Sequence, residues 1–207
     1  GGAIFIYNKY SYQNEVVLDG LTLNKCKAKY GGAIYVYSSS IRYPINIKNC
    51  LFTNNTALLT RENTDSKFYG GSAIFITSLR GFLESNTLID NEGDAVKIYN
   101  HYNALTQKHS SIKSVLSSSQ GFVLINNCEF ESNINSRSCL FYTLGNKGSS
   151  YEIRNCKFYG QLDKNSYYID GEVIDKNGPK LTVKKCKFAN DSNRALNLNS
   201  KKALHSH

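Results

Sequence analysis

A short pattern recurs along this chain and leaves it few folds: apolar-x-apolar, two polar residues, then Cys-x-Phe. Clean copies are Ile45-Asn-Ile47-Lys-Asn49-Cys50-Leu-Phe52, Val123-Leu-Ile125-Asn-Asn127-Cys128-Glu-Phe130, Tyr151-Glu-Ile153-Arg-Asn155-Cys156-Lys-Phe158 and Leu181-Thr-Val183-Lys-Lys185-Cys186-Lys-Phe188. Leu21-Thr-Leu23-Asn-Lys25-Cys26-Lys-Ala28 reads as a weaker copy, and Phe82-Leu-Glu84-Ser-Asn86-Thr87-Leu-Ile89 as a degenerate one. A second pattern, Gly-Gly-Ala-Ile-aromatic-aliphatic, alternates with the first. It stands at Gly1 to Ile6 and Gly31 to Val36, and as Gly71-Ser-Ala-Ile-Phe-Ile76. Self-similarity at tens of residues marks a stacked repeat protein, in which each unit buries its apolar face only against its neighbours.

Alternation at period two puts Ile45 and Ile47 on one face of a strand. Cys50 and Phe52 also alternate, but out of phase, so Lys48 and Asn49 must turn the chain for both pairs to face inward. Asn tolerates the left-handed backbone such a corner needs, and Asn49, Asn86, Asn127 and Asn155 are assigned to it. The Gly-Gly-Ala-Ile block supplies another strand, with Ile4, Ile34, Ile74 and Val96 inward. The glycines form its entry, where a side chain would clash. Each repeat thus carries three short strands, stacked in parallel on those of the next. The expected fold is all-β: a right-handed parallel β-helix of about seven coils. Unequal repeat lengths place insertions in loops at Thr60 to Phe68, His101 to Ser119 and Gly145 to Ser150.

The repeat makes residues 1–207 one elongated domain. No apolar run approaches the ~20 residues of a membrane span. Gly1 opens mid-repeat without Met or signal peptide, which reads as a fragment or processed piece of a longer chain. Of the 6 Cys, Cys26, Cys50, Cys128, Cys156 and Cys186 share one inward position. They form a ladder of small buried thiols rather than a disulfide framework. No Cys-x-x-Cys or His-rich spacing points to a metal, and no cofactor motif occurs. The net charge is +9, and Lys48, Arg154 and Lys184 with Lys157 and Lys187 form a broken basic stripe. That stripe faces anionic glycans, a membrane surface or an acidic partner, or is a solvated face that keeps strand edges apart. Charge alone carries no nucleic-acid module.

Outward on the Gly-Gly-Ala-Ile strand stand Phe5, Tyr35, Phe75 and Phe141, interrupted by Lys97 and Asn197, with Tyr7, Tyr37 and Tyr99 beside them. Stacking makes these an aromatic column, either a binding face for carbohydrate or protein or a cluster covered by loops. A carbohydrate-active enzyme would need clustered carboxylates; Glu92 with Asp94, and Asp170, Glu172 and Asp175, are the candidates. Asn63-Thr-Asp65 mimics a polygalacturonase motif by letter but lacks its partner motifs. Asn54-Asn-Thr56 and Asn190-Asp-Ser192 are glycosylation sequons at Asn54 and Asn190.

Gly-Gly-Ala-Ile blocks paired with Phe52-Thr-Asn-Asn55 and Phe130-Glu-Ser-Asn133, and nearly with Phe188-Ala-Asn-Asp191, resemble the paired repeat of the chlamydial polymorphic outer membrane protein family. The likeness is strongest over residues 1 to 76. Similar repeats occur in surface proteins of parasitic protists. The resemblance implies a β-helical, surface-exposed or secreted, adhesin-like protein; the family's translocating barrel is not part of these 207 residues. The expected role is a non-enzymatic adhesion or structural module at the cell surface or outside the cell, with a carbohydrate or protein ligand. The alternatives are a rod packed among neighbouring chains in an assembly, and a polysaccharide lyase or hydrolase.

Overall fold

A computed structural model describes residues 1–8, 15–38, 44–59, 70–78, 80–100, 122–132, 140–144, 150–160, 167–173, 180–189 and 195–200. The expected insertions at 60–68, 101–119 and 145–149 lie outside these, as does Cys139.

The chain visits three parallel sheets in turn. The first stacks Ile4–Asn8, Ile34–Ser38, Ile74–Ser78, Val96–Asn100, Leu140–Leu144, Ile169–Val173 and Leu196–Ser200. The second stacks Val16–Asp19, Ile45–Lys48, Arg80–Glu84, Phe122–Asn126, Ser150–Arg154 and Lys180–Lys184. The third holds Thr22–Asn24, Leu51–Thr53, Thr87–Ile89, Glu129–Ser132, Lys157–Gly160 and Lys187–Phe188, and a short pair joins Lys27–Ala28 to Thr56–Ala57. Every neighbour is parallel, and equivalent residues face each other from coil to coil. The fold is a parallel β-helix, with seven coils counted on the first sheet.

The core forms because like residues stack on like. Ile34, Ile74 and Val96 run up the first sheet, Ile47, Leu83, Ile125 and Ile153 up the second, and Phe52, Leu88, Phe130 and Phe158 up the third, all buried. Phe130 and Phe158 stack face to face with centroids 4.8 Å apart, the coil spacing itself. The Gly-Gly entry has a steric cause. Gly31 and Gly71 adopt φ of 61° and 66°, and a Cβ on Gly32 would lie 2.1 Å from the Ser72 carbonyl oxygen of the next coil. Tyr168 stands where other coils have Ala33, Ala73 and Ala95. It is buried, and its hydroxyl lies 3.0 and 2.8 Å from the carbonyls of Gly160 and Ala189.

The corner between the second and third sheets turns through one left-handed residue per coil: Gly20, Asn49, Ser85, Asn127, Asn155 and Lys185, with φ between 51° and 68°. Two assignments made from the sequence are corrected here. Pairing aligns Gly81 with Ile45 and Glu84 with Lys48, so Ser85, not Asn86, is the left-handed residue. Asn86 instead occupies the Cys position. Likewise Leu21 is the coil-to-coil equivalent of Cys50, since the amides of Leu51 and Thr87 donate to the Leu21 and Cys50 carbonyls. Cys26 therefore leaves the thiol ladder. It sits at the next corner, after left-handed Lys25 and in line with Asn55 and Asn91, which follow left-handed Asn54 and Asp90. The cause is that Leu21-x-Leu23 fits the apolar alternation as either the first or the second pair of the pattern.

These buried asparagines share one geometry. The Asn86 Oδ1 accepts the Cys50 amide at 3.0 Å while its Nδ2 donates to the Ile47 carbonyl at 2.8 Å. Asn55 does the same with the Cys26 amide and Leu23 carbonyl, and Asn91 with the Asn55 amide and Phe52 carbonyl. A corner leaves one N–H and one C=O outside the sheet ladder, and a carboxamide supplies both missing partners. At the Cys positions the thiol takes over the donor half: Cys128 reaches the Leu83 carbonyl at 3.4 Å and Cys156 the Ile125 carbonyl at 3.7 Å.

Candidate functional site

Three outer surfaces hold the residues singled out from sequence. On the first sheet, Phe5, Tyr35 and Phe75 stack in register with centroids 5.3 and 5.4 Å apart, and Tyr7 stacks on Tyr37 at 4.8 Å. Among the described rings the column is most open at its first coil. Phe5 and Tyr7 are 62% and 55% exposed, whereas Tyr35 and Phe75 are 6% and 0% exposed. Tyr30, from the segment entering the Gly-Gly turn, packs against both buried rings at 5.1 and 5.8 Å. Tyr35 and Phe75 are thus a satellite core, not a ligand platform. Lys97, next in register after Phe75, is also fully buried. The side chains of Tyr99 and Phe141 lie outside the described residues.

The basic stripe is not a uniform field. Its column on the second sheet runs Asp19, Lys48, Glu84, Asn126, Arg154, Lys184. Lys48 pairs with Asp19 at 3.3 Å, and Lys184 and Arg154 meet Glu152 at 3.7 and 4.0 Å. The Asn49 amide, and then Lys48, hold the Asp19 carboxyl below the usual range. On the third sheet Lys157 pairs with Glu129 at 3.6 Å, and Lys187 follows it in register. In the second-sheet column the acidic members, Asp19 and Glu84, come from the two copies whose register the sequence pattern misplaced.

Beside this column lies a groove of about 510 Å³ lined by Glu15, Val17, Asn46, Lys48, Phe82, Glu84 and Leu124. Sequence reasoning missed it. The signal was there in the outward residue between each inward apolar pair, which reads Val17, Asn46, Phe82, Leu124 down successive coils.

Cys26, Cys50, Cys128, Cys156 and Cys186 are all free, with the middle three buried. Burial pushes the Cys50 thiol up, and the hydrogen bond that Cys156 donates to Cys128 pushes Cys156 from 9.0 to about 12 while lowering Cys128. Burial likewise raises the Tyr35 hydroxyl from 10.0 to about 12. A group that holds its proton more tightly when folded stabilises the fold fully below its unfolded pKa, and that advantage is lost as pH rises through the folded value. Through Tyr35, stability will therefore fall between pH 10.0 and about 12. A Tyr35→Phe variant, followed by thermal melts across that window, will show a shallower fall than the parent. An identical slope would mean the buried Tyr35 hydroxyl does not hold its proton.

Among the carboxylate candidates, Glu92 is exposed and accepts from the Thr56 hydroxyl at 3.1 Å, while Asp94 and Asp170 are buried at separate coils. The Glu172 side chain, Asp175 and Asn63 to Asp65 lie outside the described residues. No three His, Cys, Asp or Glu among the described residues gather to hold a metal ion, and no described helix is long and apolar enough to cross a membrane. Asn54 is exposed at a left-handed corner; Asn190 lies outside the described residues. Fold and surface define the class: a parallel β-helical solenoid with an aromatic edge and a grooved second sheet. No family model, curated protein or solved structure matches the chain.

Proposed function

We propose that this chain is a non-enzymatic adhesion module, displayed at a cell surface or secreted, that binds a carbohydrate or protein through its outer faces. The observation behind this reading is the aromatic column on the outer side of the first sheet, where Phe5 stacks on Tyr35 and Tyr7 on Tyr37. An exposed ring anchored from behind offers flat contact area with little entropy left to lose on binding. A solenoid suits the task because coil stacking, not the outer face, maintains the fold.

A glycan array probed with the parent and a Phe5→Ser/Tyr7→Ser double variant tests it. The variant will lose binding while its stability shifts by no more than about 1 kcal/mol, since both side chains are exposed. Tyr35→Ser/Phe75→Ser, by contrast, will cost several kcal/mol of core packing, on the order of 3–5. Absence of glycan binding together with absence of a protein partner in cross-linking would turn the reading toward a structural rod.

A further inference from the structure

We propose that the groove on the second sheet binds a linear, uncharged oligosaccharide lying along the solenoid axis. This site is on a different sheet from Phe5 and Tyr7, so either can fail without the other.

The floor sets the ligand's direction. Val17, Asn46, Phe82 and Leu124 are one residue each from four successive coils, in register. Coils repeat about every 4.8 Å, so the contacts step along the axis, across the strands. The volume of about 510 Å³ lies within the usual range for a small-ligand site. Phe82 is braced by Phe122, whose ring is tilted against it at 5.9 Å. A braced ring, flanked by the largely buried Leu124 and separated from the exposed Val17 by Asn46, suits the C–H faces of pyranose rings.

The rim selects for hydroxyls and against anions. Glu15 accepts from the Asn46 amide, leaving further acceptor capacity on the carboxylate. Glu84 stands on the rim, and Lys48 is already drawn to Asp19 at 3.3 Å. Among the described lining residues the carboxylates of Glu15 and Glu84 outnumber the one ammonium, Lys48, which Asp19 also neutralises, although the chain carries +9. Sulfated or uronic chains would meet repulsion here.

An extended peptide fits less well. Its same-face side chains recur about every 6.7 Å, out of step with the coils. Of the strands beneath the groove, Ile45–Lys48, Arg80–Glu84 and Phe122–Asn126 are paired on both sides, and only Val16–Asp19, at one end of the groove, is an edge of the described sheet, so strand addition cannot run along the floor. A pyranose unit with its glycosidic link advances by nearly one coil.

Calorimetric titration of the 207-residue chain with cellotetraose, chitotetraose and a heparin tetrasaccharide tests this, using the parent, Phe82→Ala, Glu84→Gln and Phe5→Ser/Tyr7→Ser. At least one neutral tetrasaccharide will bind, and Phe82→Ala will weaken it about tenfold or more with the circular dichroism spectrum unchanged. Glu84→Gln, an exchange at the rim that leaves the floor intact, will also weaken it, and the Phe5/Tyr7 pair will not. The proposal is overturned if no neutral tetrasaccharide binds at millimolar concentration, if binding survives both groove substitutions, or if the heparin tetrasaccharide binds more tightly.

Discussion

An Ile47→Asp variant will not hold the middle coils together. Ile47 is fully buried, stacked between Leu18 and Leu83 in a column continued by Ile125 and Ile153. Removing the aliphatic side chain costs about 2–5 kcal/mol, and burying a carboxylate with no cation beside it adds to that or forces its protonation. Against a total stability of about 5–15 kcal/mol for a domain, the sum is enough to unfold the affected coils. In a solenoid the damage passes through nearest neighbours, so hydrogen exchange will rise first in Val16–Asp19 and Arg80–Glu84. Urea unfolding followed by circular dichroism provides the overall measurement. An unchanged midpoint would show that Ile47 does not face the core.

Asn55→Ala will be the most damaging substitution at a corner. The Asn55 Oδ1 accepts the Cys26 amide at 2.9 Å, and its Nδ2 donates to the Leu23 carbonyl and the Asn91 Oδ1, both at 2.9 Å. Alanine leaves a part-buried N–H and C=O of the preceding coil without these partners. At about 1–3 kcal/mol per abandoned group, the expected loss is about 3–5 kcal/mol. The neighbouring Asn54, exposed with φ of 54°, is the control. Asn54→Gly suits that left-handed backbone and will change stability by less than about 1 kcal/mol. Denaturation of the two variants side by side, with exchange of the Cys26 amide, distinguishes them. Equal midpoints would mean the asparagine ladder contributes nothing.

Both substitutions act on positions that a reader of the sequence could reach, by routes of different quality. Ile47 follows from strict alternation, because period two admits only one face once Ile45 is placed. Asn49 follows from the need for a left-handed corner between two pairs out of phase. Asn55 was visible only as the last letter of a Phe-x-x-Asn motif; its bonds to Cys26 and Leu23 join residues of different coils, and no local pattern specifies them. Cys26 and Asn86 were placed wrongly because each corner is flanked by apolar alternation on both sides, so a one-corner or one-residue shift satisfies the pattern equally well.

Stacking of repeats, three-strand coils, left-handed corners and inward Ile, Phe and Cys were determined by the sequence alone, because each depends on residue type and spacing within one coil. Only the tertiary structure decided what depends on the next coil or on chain packed above a face. It made Asn86 a stand-in for a thiol, and it paired Lys48 with Asp19 and so dissolved the basic stripe. It buried Tyr35 and Phe75 beside Tyr30 while leaving Phe5 and Tyr7 open, and it lined up Val17, Phe82 and Leu124 as a groove floor. The physical reason is that an outward-pointing side chain is defined by its strand, but its exposure, charge partners and neighbours are set by residues tens of positions away.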